Sequence, residues 1–136
     1  LVSDINVKEF DALAIPGGFE EAKFYEDAYD ERFLQVIREF HSAGKPIASV
    51  CVAALSLGKS GILEGKKATT YNHPKSIRRA QLKEFGVLVQ DDYIVVDHNI
   101  ITSSNPSTGF DVAFLLLEKL TSIENVQQVK NLMGFN

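Results

Sequence analysis

The chain has 136 residues, 45% hydrophobic and 24% charged, with a formal net charge of −4. That length suits one domain with its own core rather than two, and an acidic balance without any long Lys/Arg run argues against nucleic acid as a partner. The longest apolar runs, 114–117 and 94–96, are far too short for a bilayer span, no signal peptide opens the chain, and one cysteine cannot form an internal disulfide, so a cytoplasmic protein that binds no membrane is expected.

Short apolar runs alternate with amphipathic stretches, the pattern of an α/β domain with a mostly parallel sheet. Residues 12–15 form a buried-type strand stopped by Pro16-Gly17-Gly18. Asp30 is placed to cap a helix with Phe33, Leu34, Ile37 and Phe40 on one face, ended by Gly44 and Pro46. Residues 47–50 read as a second buried strand, followed at once by Cys51 and by a helical pattern over 53–60 that stops at Gly61. A short strand is expected at 68–71 and a helix at 77–85. Strands follow at 87–89, 93–96 and 100–102, the last two joined as a hairpin by Asp97-His98-Asn99. Ser107 or Thr108 is expected to cap a helix that gathers Phe110, Ala113, Phe114, Leu117 and Leu120 on one side. A final helix at 123–132 starts from Ser122.

The segment Ser49-Val50-Cys51-Val52-Ala53 reads small, any, nucleophile, any, small, where a strand becomes a helix. A sharp turn of that kind lifts the central side chain above the sheet edge, and the crossing backbones leave little room two residues to either side. A helix N-terminus behind the sulfur favours thiolate, and the Val52 N–H is one candidate oxyanion donor. A lone cysteine in an apolar run is most often a small buried hydrophobe; the strand–turn–helix setting and the small residues at 49 and 53 favour the nucleophile. Pro16-Gly17-Gly18 lies at the carboxyl end of its strand, the edge where open α/β sheets bind ligands. An ordinary tight turn is the simpler reading of those residues taken alone.

Together these pieces resemble the ThiJ/PfpI family of the class I glutamine-amidotransferase-like superfamily. The resemblance runs through Asp11-Ala12-Leu13-Ala14-Ile15-Pro16-Gly17-Gly18, then Lys45-Pro46-Ile47-Ala48-Ser49-Val50-Cys51, then residues 61–70, and finally residues 100–104 and the helix from Phe110 to Leu120. It implies a flavodoxin-like three-layer sandwich, commonly a homodimer, with an oxidation-prone elbow cysteine. Family members include deglycase- or glyoxalase-like enzymes, peptidases, isonitrile hydratases and stress proteins with chaperone or redox roles. By position, Cys51 matches the nucleophile, Gly18 and Val52 the oxyanion N–H groups, and Gly17 the shaped loop. Val52 stands where many peptidase-like members have His, which weakens a protease reading. In Thr70-Tyr71-Asn72-His73-Pro74 either Tyr71 or His73 faces the thiol. The family's acidic partner of the cysteine and its first strand both lie upstream of Leu1. With no initiator Met, the chain is expected to be a fragment or processed product.

His41, in the last turn of its helix, reads as a surface cation that complements the dipole, and His98 as a solvated turn residue. Glu20 and Glu21 follow the glycine pair and are candidates for the pocket border, and residues 103–106 for the same edge. Three histidines and one cysteine show no metal-ligand spacing, so neither metal nor cofactor is expected. The expected function is a cysteine-dependent hydrolase or lyase acting on a small carbonyl or amide compound. The alternative is a non-enzymatic redox-sensing or chaperone-like stress protein.

Overall fold

A computed structural model describes residues 1–135 of the chain. Four strands, β1 (Leu13–Ile15), β2 (Ile47–Ser49), β6 (Ile100–Ser103) and β5 (Ile94–Asp97), lie side by side in that order. β1 pairs parallel to β2 and β2 parallel to β6, whereas β5 returns antiparallel. β3 (Lys67–Ala68) and β4 (Leu88–Val89) form a separate parallel pair. The flavodoxin-like α/β sandwich expected from the motifs is the fold observed.

The two sheet faces are assigned by the period of the strand. Ile15, Ile47 and Ile100 belong to one buried cluster with Leu34, Ile37, Phe40 and Leu55, which come from α2 (Glu31–Ser42) and α3 (Ala54–Ser60). Their neighbours Ala48 and Ile101 point to the opposite face, where Val112 of α5 (Gly109–Leu120) meets them. Side chains alternate across a strand, so one residue of register separates the two cores. α1 (Phe24–Ala28), α4 (Arg78–Glu84) and α6 (Ile123–Leu132) complete the described helices.

Local signals explain most boundaries. Asp30 accepts from the Arg32 backbone N–H at 2.9 Å and starts α2, and Arg32 holds its carboxyl well below the ordinary value, down to about 2. Ser122 accepts from Asn125 N–H at 3.2 Å and starts α6. The β5–β6 hairpin turns through His98, in the left-handed region at φ 52°, with its ring solvated.

Four expectations need correction. The strand at 68–71 stops at Ala68, because Thr69 N–H donates to the Thr102 hydroxyl and the Thr70 hydroxyl donates to the Cys51 carbonyl, replacing ladder bonds. Thr108 precedes α5 but does not cap it; its hydroxyl donates backwards to the Asn105 carbonyl at 2.6 Å. α5 buries Val112 and Phe114, while Phe110, Ala113 and Leu120 are exposed; a helix apolar on several sides gives periodicity no single face to select. His41 is half-buried rather than free on the surface, and burial together with Lys66 lowers its pKa, which weakens the expected charge–dipole contact at the end of α2.

Candidate active site

β1, β2 and β6 run in one direction, so the segments leaving their carboxyl ends converge on one edge of the sheet. Pro16-Gly17-Gly18 leaves β1, Val50-Cys51-Val52 leaves β2, and the segment holding Pro106 follows β6. These three segments line a cleft of about 760 Å³ that also takes in Glu20, Glu21, Tyr25, Tyr71, His73 and Arg78. This is the edge at which open α/β sheets hold ligands.

Cys51 has φ 60°, a left-handed conformation that side-chain-bearing residues seldom adopt. Such a position costs about 1–3 kcal/mol and persists only where its surroundings over-determine it. Here Val50 N–H donates to the Ile15 carbonyl at 3.1 Å, and the Thr70 hydroxyl donates to the Cys51 carbonyl at 3.0 Å. Residues 51–53 then make one tight turn that leads into α3, all of it buried. The small residues at 49 and 53 are both fully buried, as a sharp strand-to-helix turn requires.

Gly17 is the glycine that meets the cysteine. A Cβ there would stand 3.0 Å from Cys51 Cβ, 3.1 Å from the Val50 carbonyl oxygen and 3.6 Å from Sγ. A side chain at Gly18 would instead enter the Phe24 ring, 2.3 Å from Cδ2. The bend is thus compressed on both sides: one glycine admits the Cys51 turn and the next admits α1.

The thiol is 9% exposed, and burial pushes its pKa above the ordinary value, with the Val52 N–H pulling the other way. The expected thiolate from a helix dipole is therefore corrected. α3 has only seven residues and begins three positions after the sulfur, and desolvation of the charged form outweighs what it supplies. A raised pKa means less thiolate at neutral pH. Alkylation of Cys51 by iodoacetamide is accordingly expected to climb with pH and to inflect above the value of about 8.5 for a free thiol. A pH–rate series with its inflection below that value rules this out.

Tyr71 and His73 both stand in the cleft wall with their rings stacked, centroids 6.2 Å apart and planes 10° from parallel. Tyr71 is half-buried and His73 exposed, and His73 Nδ1 accepts from the Lys75 backbone N–H at 3.4 Å. Glu20 and Glu21 border the cleft as expected, and so does Pro106. Several wall residues carried no signal in the sequence, Tyr25 and Arg78 among them. Tyr25 and Arg78 come from short helices whose placement beside Cys51 depends on how α1 and α4 pack. Burial raises the Tyr25 hydroxyl to about 12. Among the described residues, no three His, Cys, Asp or Glu side chains converge as a metal site would require, and no helix is long and apolar enough to cross a membrane.

The sequence profile of the DJ-1/PfpI family matches residues 1–119. The chain belongs to the DJ-1/PfpI family. It is similar to protein DJ-1alpha of Drosophila melanogaster, with 35% identity over 125 residues covering 92% of this chain and 55% of that protein. A deglycase of Pyrococcus horikoshii is 34% identical over 103 residues, covering 76% of this chain and 58% of its own length. Among solved structures, DJ-1beta of Drosophila melanogaster superposes with a TM-score of 0.79 at 30% identity, over 97% of this chain and 66% of that one. The chain thus spans little more than half the length of these two curated relatives. The family read from the Pro16-Gly17-Gly18 and Cys51 motifs is the family found.

Proposed function

We propose that the chain is a cysteine-dependent hydrolase or lyase of small carbonyl or amide compounds, in the manner of a deglycase or glyoxalase, with Cys51 as nucleophile. The observation that carries this reading is the strained backbone of Cys51, at φ 60°, on the floor of a cleft at the sheet's carboxyl edge. Strain held at a concave site is characteristic of residues kept for chemistry.

In the proposed step the sulfur bonds to the carbonyl carbon, and the carbonyl π pair moves onto oxygen. The backbone N–H groups of Gly18 and Val52 hold that developing oxyanion. Because burial keeps the thiol protonated, attack needs a base, and His73 is the imidazole of the cleft wall. The proton passes from sulfur to His73 and from there to the oxygen of a hemithioacetal, or to the amine that leaves an amide. From an amide or ester this leaves a thioester directly. From an α-oxoaldehyde the hemithioacetal carbon first gives up its proton, which returns to the neighbouring carbonyl carbon through an enediol, and a thioester again results. Water then hydrolyses it to the acid and restores the thiol. The redox-reporting alternative gains little from a thiol that is buried and protonated, since oxidation follows thiolate character and exposure.

The test is turnover of methylglyoxal or of an activated ester, measured before and after complete carboxamidomethylation of Cys51. Loss of turnover in step with labelling is the expected result. Turnover that survives full labelling ends the proposal.

A further inference from the structure

We propose that Arg78 makes the cleft selective for small carbonyl compounds that bear a carboxylate, with Glu20 holding its guanidinium until such an anion replaces it. This deepens the reading of Cys51 as a nucleophile and concerns the same cleft.

Arg78 begins α4, and its side chain is only 15% exposed although it lines the cleft that Cys51 opens into. Three contacts fix its plane. Cζ stands 4.6 Å from the centroid of the Tyr25 ring, Nη1 donates to Gln81 Oε1 at 3.0 Å, and Nη2 donates to Glu20 Oε2 at 2.5 Å. A guanidinium carries five N–H donors, so three remain without a partner among the described residues. Tyr25, whose ring the guanidinium covers, has a buried hydroxyl with no partner either. Of the four buried hydroxyls in that condition among the described residues (Tyr25, Ser49, Ser56 and Thr69), it alone belongs to a residue of the cleft wall. Among the described residues no Arg78 nitrogen is both sealed from solvent and without a partner, so its free N–H groups stay open to whatever ligand supplies acceptors. A carboxylate does so with two oxygens in the geometry of the guanidinium fork.

Glu20 is suited to give way. Its carboxylate is 69% exposed and sits two residues beyond Gly18, on the loop between β1 and α1. An ion pair with one partner in water contributes little net free energy, so exchanging that carboxylate for one on a ligand is nearly balanced. The remaining charges of the wall are Glu21 and Lys75, one of each sign, besides the titratable His73. Arg78 is then the group that separates anionic from neutral ligands. The chain as a whole is acidic at −4, so any preference for an anion at Cys51 is local to the cleft and is not a consequence of overall charge.

The measurement is the rate at which Cys51 is alkylated by iodoacetate relative to iodoacetamide, each normalised to glutathione under the same conditions. The two reagents differ in the carboxylate and share the reacting carbon. The normalised ratio is expected to exceed one in the wild-type chain, to fall about tenfold or more in Arg78→Met, and to fall less in Arg78→Lys, which keeps charge but loses the fork. Glu20→Gln is expected to raise the ratio, and as an exposed change it leaves the fold intact even if Arg78→Met does not fold. A ratio that Arg78→Met leaves unchanged, or that Glu20→Gln lowers, overturns the inference. The ratio is read without turnover, so it can fail while Cys51 remains the nucleophile, and the turnover test can fail while the ratio behaves as stated.

Discussion

Serine in place of Cys51 is expected to lower turnover by about four orders of magnitude or more, as removal of a covalent nucleophile does in enzymes where it has been measured. That is about 5 kcal/mol of barrier. The exchange of sulfur for oxygen barely alters side-chain volume, and the neighbours that hold the turn remain: the Ile15 carbonyl accepting from Val50 and the Thr70 hydroxyl donating to the Cys51 carbonyl. The melting temperature should therefore stay close to that of the parent chain, which separates lost chemistry from lost structure. A serine hydroxyl ionises far less readily than even a buried thiol, so His73 has no accessible proton to take from it at neutral pH. A variant that keeps more than a tenth of the parent rate would remove Cys51 from the reaction.

The largest effect on stability is expected at Phe40. This side chain is 2% exposed and lies in the buried cluster with Ile37, Ile47 and Leu55. Phe40→Ala removes most of a ring and leaves a cavity that packed neighbours fill only partly, at a cost of about 3–5 kcal/mol. Against a typical domain stability of about 5–15 kcal/mol, that brings the chain near its threshold. The urea midpoint should fall with the slope unchanged. Phe40 lies toward the end of α2, which leads through residues 43–46 to the amino end of β2, while the cleft opens at the carboxyl end. Where the variant is still folded, iodoacetamide should label Cys51 at the parent rate. A midpoint shift worth less than 1 kcal/mol would mean that the helix repacks around the loss.

The site was legible where chemistry and backbone geometry act over a few adjacent residues. Small residues around Cys51 and paired glycines after β1 are local requirements of a strand-to-helix turn and a close backbone approach, so they appear in sequence order. Tyr25 and Arg78 satisfy no such requirement. Each lies on a short helix, and each reaches the cleft only because of how that helix packs. The direction of the Cys51 shift was also out of reach, since it depends on how much water the assembled cleft excludes.

Read alone, the order of residues determined the alternation of strands and helices, the turn at Cys51, the starts of α2 and α6 at Asp30 and Ser122, and the family. Those are consequences of side-chain period, capping and chain stiffness, which operate within a few residues. Tertiary structure decided which side of α5 is buried, that Thr69 and Thr70 bond side chains instead of extending β3, that His41 is half-buried, and that Arg78 stands in the wall of the Cys51 cleft. The physical reason is the same in each case. Burial and partner choice are properties of surfaces brought together from distant parts of the chain, and local pattern carries no record of which surfaces meet.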